Sequence, residues 1–288
     1  MTIREERAVW AQWAQRKKKS LELIKRVDPH MQFAVMVSHT GNRFAGKTFG
    51  MANQVFVMHE LCPEARWVFI DGEMQFGAIY QDAMGEYHTE GSNALPPEKT
   101  IVYSPETFVE TFRENVDLVP FHVIDTCGID EPEMPPMVRP CLQEIIAAGG
   151  LNLVTDEVQT LSKTGLEKDF KDVGMLPELH RIASRGRHIV GWHGRGVSWF
   201  YASQEAANYN RSLRNKTNIW YGYQTQRDHD ERGVLDDFWK GPKDMGVSLK
   251  KLVPPQYWRL EKGGVAHLAD SPELYKQLLV VEGISVPS

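Results

Sequence analysis

Eight consecutive residues have the pattern of a loop that binds phosphate. The segment from Gly41 to Thr48 matches G-x-x-x-x-G-K-[ST] at every fixed position. Its glycines allow backbone N–H groups to turn inward around phosphate oxygens, and the helix predicted to follow adds positive potential at its N-terminus. From its position in the motif, Lys47 is expected to contact the β- and γ-phosphates of a nucleotide. The hydroxyl of Thr48 is expected to ligate Mg²⁺. The residues expected to hold the nucleotide are Gly41, Asn42, Arg43, Phe44, Ala45, Gly46, Lys47, Thr48 and Phe49.

Two adjacent carboxylates after an apolar run are the second chemical feature. Asp156 and Glu157 directly follow residues 151–155, which have the pattern of a buried strand. A carboxylate at a strand end near a phosphate loop can hold Mg²⁺ through its water shell, and the next carboxylate can polarise an attacking water. We therefore expect Asp156 to bind Mg²⁺ together with Thr48, partly through water, and Glu157 to act as the general base.

Two other acidic strand ends compete for these roles. Residues 121–125 also form an apolar strand pattern that ends in a carboxylate, but no second acid follows it. We therefore prefer Asp156 and keep Asp125 as the alternative. Asp71 and Glu73 follow a third strand pattern, and they have no assigned role because acids at such positions also cap loops.

The same residues indicate which nucleotide reaction to expect. A GTPase would carry N-K-x-D at the end of a strand to read guanine, whereas residues 215–218 read N-K-T-N and precede a strand pattern. A small-molecule kinase does not need the adjacent acids at 156–157. Since that pair favours water as the nucleophile, we expect an ATPase that uses ATP and Mg²⁺.

A regular alternation of strand and helix patterns must position these residues. Apolar strand patterns occupy 31–37, 66–71, 101–103, 121–125, 151–155, 198–203 and 218–224. Helix patterns occupy 47–61, 105–116, 138–148, 176–186 and 205–214. Strands that alternate with helices form parallel sheets with helices on both faces. We therefore expect an α/β fold with a mostly parallel central sheet.

The remaining segments suggest how the chain is divided. We expect an N-terminal helical attachment at 1–29, a P-loop ATPase core at 30–252, and a C-terminal part at 253–288 with a β-hairpin and a short helix. Residues 73–98 are polar and marked by glycine and proline, and we expect an insertion with little regular structure.

Composition excludes several classes of protein. The 288 residues are 42% hydrophobic and 25% charged, which is ordinary for a globular protein and unlike a disordered or collagenous one. No apolar run reaches the roughly 18 residues that a membrane span needs, and charges occupy the N-terminus where a signal peptide is apolar. The three cysteines have no metal-ligand spacing. We expect a cytoplasmic protein without a membrane span, and its net charge of −5 limits nucleic-acid binding to a local patch.

The residues after the acid pair resemble a known superfamily. A helix pattern with Arg181 and Arg185 leads through a Gly- and Arg-containing segment to a strand pattern that ends in Gln204, and a polar helix and another strand follow. In this order of elements the chain, from about residue 31 to 224, resembles the FtsK–HerA superfamily of DNA-pumping ATPases. The resemblance implies a RecA/FtsK-like P-loop NTPase fold, in which Gln204 senses the γ-phosphate.

The resemblance also implies a function and partners. The compact length is similar to the genome-packaging ATPases of tailless, membrane-containing viruses, and we expect neither a DNA-reading domain nor a nuclease domain. The resemblance implies a motor that translocates double-stranded DNA and works as a homo-oligomeric ring. It also implies docking to capsid or vertex proteins, and a location in the host cytoplasm and with the virion. An assembly or secretion ATPase that moves protein, and a nucleotide-gated structural component, remain alternatives.

A basic segment fits such a partner and also offers a catalytic arginine. Residues 181–216 contain seven Lys or Arg and one acid, Glu205, so contacts to DNA phosphates are expected here. The superfamily often presents residues of this segment to the next subunit, where an arginine stabilises charge on the transferred phosphoryl group. Arg187, at a helix end, and Arg195, between two glycines, are the candidates, and Arg187 is preferred.

Overall fold

A computed structural model of the protein describes most of the chain between residues 36 and 270. The described residues are 36–43, 45–61, 63–72, 76, 79–81, 87–89, 95, 97–130, 132–158, 161, 175–191, 196–204, 211–254, 256–262 and 264–270. The predicted N-terminal helix within 1–29 and the predicted helix after residue 270 lie outside these ranges.

The described strands and helices alternate through most of the chain. The strands are β1 Met36–Thr40, β2 Trp67–Asp71, β3 Ile79–Gln81, β4 Tyr87–Thr89, β5 Thr100–Tyr103, β6 Phe121–Asp125, β7 Asn152–Thr155, β8 Ser198–Ser203, β9 Ile219–Tyr223, β10 Gln256–Glu261 and β11 Val265–Asp270. The α-helices are α1 Lys47–Leu61, α2 Pro105–Asn115, α3 Met134–Ala148, α4 Pro177–Arg185, α5 Arg211–Lys216 and α6 Asp228–Arg232. A π-helix, Gly233–Trp239, continues α6, and 3₁₀ turns lie at Pro97–Lys99, Gly186–His188 and Lys243–Met245.

Nine of these strands form one sheet in the order β11-β10-β9-β1-β8-β7-β2-β6-β5. All neighbours from β9 to β5 are parallel, whereas β10 is antiparallel to both β9 and β11. The strands β1, β2 and β9 are buried along their whole length, as expected for parallel strands that helices cover on both faces. The predicted α/β fold with a mostly parallel central sheet is confirmed.

Adjacent residues of β6 show how the helices cover the two faces of the sheet. Consecutive side chains of a strand point to opposite faces. Phe121 packs against His59 of α1, with ring centroids 4.8 Å apart, and His122 packs against Phe112 of α2 at 5.2 Å. The helices α3, α4 and α5 pack side by side in sequence from α2. One face therefore carries α1 and the other carries the row from α2 to α5.

The first strand continues beyond its predicted C-terminal end. The pattern at 31–37 predicted a strand that ends before the polar residues Ser38, His39 and Thr40, but β1 runs through all three, and each is buried. Their polar groups find partners inside the protein, since the Ser38 and Thr40 hydroxyls lie 3.0 Å apart. Because these three side chains are polar, the apolar pattern ends too early and underestimates how far the strand extends. The predicted part at 31–35 lies outside the described residues.

Two other segments contain elements that the sequence did not predict. Residues 73–98, predicted to have little regular structure, contain the antiparallel pair β3 and β4. Residues 228–239, where no helix was predicted, form α6 and the π-helix. Half of that segment is charged, and the few large side chains that it buries, Phe238 and Trp239 among them, are too sparse to show a helical period.

The predicted C-terminal hairpin is present and extends the main sheet. Its strands β10 and β11 pair with each other, and β10 also pairs with β9. The sheet therefore continues across the boundary proposed between residues 252 and 253. The division into 1–29, 30–252 and 253–288 stays a prediction.

Two buried histidines make the folded state sensitive to acid. The pKa of His59 and the pKa of His122 are each lowered from 6.5 to about 4, chiefly because burial disfavours the charged ring. Between these pH values the unfolded chain binds more protons than the folded one. Their contribution to stability is therefore complete above pH 6.5 and is lost as the pH falls towards 4. Each histidine accounts for about 3 kcal/mol at the end of that range.

Urea unfolding at a series of pH values tests this expectation. The double variant His59→Gln, His122→Gln should show a flatter dependence of the free energy of unfolding on pH than the wild type between pH 6.5 and 4. The variant His229→Gln is the control because His229 is exposed. Equal slopes for the wild type and the double variant would contradict the burial argument.

Candidate nucleotide-binding site

The phosphate loop begins between the carboxyl ends of two strands. The Gly41 N–H donates to the Ser203 carbonyl at 3.3 Å, and the Asn42 N–H donates to the Gln224 carbonyl at 2.8 Å. A Cβ atom on Gly41 would lie 2.6 Å from the Cβ of Tyr223. The first glycine of the motif is therefore needed for a close approach to β9, and the ends of β8 and β9 fix where the loop starts.

The loop then turns into the N-terminus of α1. Gly46 has φ 93°, a conformation that favours glycine, and Lys47 is the first residue of the helix. The Lys47 side chain is buried, and its Nζ donates to the Asn42 carbonyl at 3.1 Å. The amine thus lies inside the loop. Arg43 is exposed, whereas Phe44 and the side chain of Phe49 lie outside what the structure describes.

The structure brings together the two residues expected to hold Mg²⁺. The Thr48 hydroxyl donates to Oδ2 of Asp156 at 3.3 Å. Asp156 is buried, and its Oδ1 accepts the backbone N–H of Glu157 at 3.2 Å. A hydroxyl and a carboxylate at this spacing are hard oxygen donors that fit Mg²⁺, which takes one or two protein oxygens and completes its shell with water and substrate phosphates. Among the described residues no group of three or more His, Cys, Asp or Glu side chains forms a metal site by itself.

The expected base and the expected sensor are in direct contact. Gln204 Nε2 donates to Oε1 of Glu157 at 2.7 Å, because β7 and β8 are neighbouring parallel strands and both residues follow their carboxyl ends. Glu157 has φ 52°, which costs a non-glycine residue conformational energy. The tight turn after β7 therefore directs Asp156 towards Thr48 and Glu157 towards Gln204.

The competing acids make other contacts. Asp125 is the last residue of β6, which is separated from β1 by the three strands β8, β7 and β2, a distance of about 19 Å at the usual strand spacing. It is exposed and accepts the N–H of Cys127 at 2.9 Å. Asp71 is buried and accepts the N–H of Phe76 at 2.7 Å, so it caps the start of the insertion. Glu73 lies outside the described residues.

Of the two candidate arginines, the structure describes Arg187. Arg187 is exposed in the 3₁₀ turn Gly186–His188. The carbonyl of Gly186 accepts the N–H of Val197 just before β8 begins, which places Arg187 at the amino ends of the strands, opposite the phosphate loop. It cannot reach the phosphates of its own subunit from there. Arg195 lies outside the described residues.

A buried polar network beneath the loop was missed by the sequence reasoning. His39 of β1 contacts the Tyr223 hydroxyl at 3.2 Å through Nδ1 and the Gln54 amide oxygen at 3.0 Å through Nε2. Gln54 in turn donates to the Tyr221 hydroxyl at 3.3 Å. The network joins β1, α1 and β9, the three elements that hold the loop. No local pattern signals it, because its members are up to 184 positions apart.

Comparison with known proteins identifies the fold. No protein-family model and no curated protein matches the sequence. The structure is similar to the genome packaging NTPase B204 from Sulfolobus turreted icosahedral virus 2 in complex with sulfate, with a TM-score of 0.54, 10% identity, and coverage of 83% of this chain and 96% of that one. The complex of the same NTPase with ATP-γ-S gives a TM-score of 0.54 at 9% identity, covering 82% and 97%. B204 described as the DNA-packaging ATPase of Sulfolobus turreted icosahedral virus gives 0.50 at 9%, with the same coverage.

These likenesses show that the chain has a P-loop ATPase fold of the kind found in B204. The resemblance inferred from the residues around Gln204 is thereby confirmed at the level of the fold. Among the described residues, no helix combines the length and the apolar character needed to cross a bilayer.

The contact between Gln204 and Glu157 predicts a specific defect. If the protein is the DNA-stimulated ATPase that the superfamily resemblance implies, Gln204→Ala should still bind ATP and DNA, but the 2.7 Å contact that holds the base would be lost, and DNA should no longer stimulate hydrolysis. Gln224→Ala is a matched control, since it removes the same side chain at the end of β9, where only the backbone carbonyl of Gln224 supports the loop. Hydrolysis rates with and without DNA test the expectation. If DNA still stimulates hydrolysis in Gln204→Ala, Gln204 only ends a strand and does not act as the sensor.

Proposed function

We propose that the protein hydrolyses ATP at the carboxyl ends of β1 and β7. The proposal depends above all on the 3.3 Å contact between Thr48 and Asp156, since it joins the phosphate motif to an acid 108 positions later. Lys47 is held inside the loop by the Asn42 carbonyl and would exchange that carbonyl for phosphate oxygens of ATP. Thr48 and Asp156 would hold Mg²⁺, which when bound neutralises charge on the β- and γ-phosphates.

The acid beside Asp156 supplies the proton acceptor. Glu157 would take a proton from the attacking water as its oxygen bonds to the γ-phosphorus and the bond to the ADP oxygen breaks. Gln204 supports this role by donating to the Glu157 carboxylate at 2.7 Å, which orients one oxygen and leaves the other for water. An amide that also senses the γ-phosphate could thereby link nucleotide state to the position of the base.

We further propose that hydrolysis drives translocation of double-stranded DNA during viral genome packaging. The fold shared with an NTPase whose name states that role supports this assignment, and the basic segment 181–216 supports a DNA partner. The motor would act as a homo-oligomeric ring, docked to capsid or vertex proteins, in the host cytoplasm and with the virion. Arg187 or Arg195 would then complete the site of the neighbouring subunit.

DNA-stimulated hydrolysis is the experiment that tests this function. Phosphate release by the purified protein should rise strongly when double-stranded DNA of any sequence is added. The Lys47→Ala variant, which lacks the amine inside the loop, is the control for contaminating ATPases. Hydrolysis without stimulation would indicate an assembly or secretion ATPase that moves protein, and negligible hydrolysis would indicate a nucleotide-gated structural component.

A further inference from the structure

A group of exposed cations collects at the amino ends of the strands. Arg181 and Arg185 are exposed on α4, and a spacing of four residues places them on one helix face. Arg187 is exposed in the turn that follows. The group therefore extends along α4 towards the edge of the sheet that is opposite the phosphate loop.

Two lysines from distant parts of the chain extend this group. The helix α5 packs beside α4. Its last residue, Lys216, is close enough that its charge, after burial, helps to lower the pKa of His180 on α4. Lys262, in the turn between β10 and β11, donates through Nζ to the carbonyl of Asn215. The cations Arg181, Arg185, Arg187, Lys216 and Lys262 are here called the basic surface.

Among the described residues, carboxylates do little to neutralise the basic surface. Glu178 is the only acid on α4, but it is buried and accepts from Arg139 and Gln143 of α3, each at 2.9 Å. Asp237 pairs with Arg214, not with the basic surface, at 3.4 Å. No described carboxylate forms a salt bridge with Arg181 or Arg185. In a chain with a net charge of −5, this surface is a local concentration of positive charge.

We propose that the basic surface binds the phosphate backbone of double-stranded DNA, an inference that rests on the proposed motor function. Arginine and lysine contacts to phosphate carry no sequence information, which suits a protein that must move any sequence. The occupant follows from charge complementarity, because a duplex presents a dense row of phosphates to exposed cations. DNA and ATP would then contact opposite ends of the same sheet.

The strand β8 connects these two ends. The residue before it, Val197, donates to the carbonyl of Gly186 beside Arg187, and the residue after it, Gln204, contacts Glu157. Its six residues span about 20 Å. This strand, with a hydrogen bond at each end, is a direct route by which DNA bound at the basic surface would affect the base at the nucleotide site.

Charge-removing variants with a charge-matched control test the proposal. The test variant is Arg181→Gln, Arg185→Gln, Lys216→Gln. The control, Lys99→Gln, Lys250→Gln, Lys251→Gln, removes the same charge from exposed positions elsewhere. Fluorescence anisotropy with a labelled duplex should show affinity at least about ten-fold weaker for the test variant, and the slope of log K against log salt should decrease by about 2 to 3. The control should bind like the wild type, and hydrolysis without DNA should be unchanged in both.

Other results would distinguish failure of the basic-surface proposal from failure of the proposed motor function. A test variant that binds DNA as tightly as the control overturns the basic surface but leaves the proposed function intact. A wild-type protein that hydrolyses ATP but does not bind DNA at low salt overturns both. Arg181→Lys, Arg185→Lys keeps the charge and should retain binding, so loss of binding in this variant would show a role other than phosphate contact. Equal affinity of the wild type for polyglutamate would identify an acidic protein as the partner.

Discussion

Glu157→Gln should slow ATP hydrolysis by roughly two to four decades, the range typical of a lost general base, while Mg-ATP still binds. The substitution keeps the shape of the side chain, and the remaining amide oxygen can still accept from Gln204, which lies 2.7 Å from Oε1 in the wild type. The proton of the attacking water would have no acceptor. Single-turnover hydrolysis together with a binding isotherm for a fluorescent ATP analogue separates the two effects.

The neighbouring acid should behave differently. Asp156→Asn should raise the concentration of Mg²⁺ needed for half-maximal hydrolysis, because Asp156 Oδ2 is the carboxylate oxygen beside Thr48. Asp125→Asn makes the same chemical change at the end of β6 and is the matched control, since Asp125 is exposed and separated from β1 by three strands. A larger defect in Asp125→Asn than in Asp156→Asn would show that Mg²⁺ binds at the end of β6 and that its assignment to Asp156 is wrong.

Arg187→Ala should reduce hydrolysis by roughly three to five decades, or about 4–7 kcal/mol in the activation barrier, if the arginine acts on the next subunit. Arg187 is at the amino ends of the strands, whereas the phosphate loop is at the carboxyl ends. Only a neighbouring subunit can therefore receive it. Arg195→Ala is tested in parallel because Arg195 is the other candidate.

Mixing two inactive proteins distinguishes a catalytic arginine from a structural one. Lys47→Ala keeps its arginines and Arg187→Ala keeps its phosphate loop, so mixed rings should recover part of the activity that each protein lacks alone. Full activity of both Arg187→Ala and Arg195→Ala, or mixtures that never recover, would contradict a trans-acting arginine. If Arg187→Ala loses only the DNA-stimulated part of hydrolysis, Arg187 belongs to the basic surface alone.

The phosphate loop and the strand that precedes the acid pair could be predicted because each is specified by a short stretch of sequence. The spacing from Gly41 to Thr48 is a short-range requirement of phosphate binding, and the apolar run before Asp156 is the pattern of a strand buried on both faces. Each can be read without knowledge of the rest of the chain. The prediction that Gln204 ends the strand beside the acid pair also agrees with the pairing of β7 and β8.

The contacts that position the site could not be predicted, because they depend on strand order and on packing across the sheet. Gly41 abuts Tyr223, and Gln204 meets Glu157, only because β8 and β9 flank β1 and β7 lies beside β8. The polar pattern predicts that His39 lies in a loop, although it is buried and paired with Tyr223 and Gln54. Such partners compensate for the cost of burying a polar group, and they cannot be inferred from the residue that needs them.

Displacement of a third strand from triplex DNA tests the central claim, that ATP hydrolysis at this site moves the protein along a duplex. A triplex-forming oligonucleotide is placed on a linear duplex, and its release is followed after the wild-type protein and ATP are added. We predict release that requires ATP, fails with ATP-γ-S, and is absent for Glu157→Gln although that variant binds DNA. An active ATPase that binds the duplex but never displaces the third strand would contradict the claim.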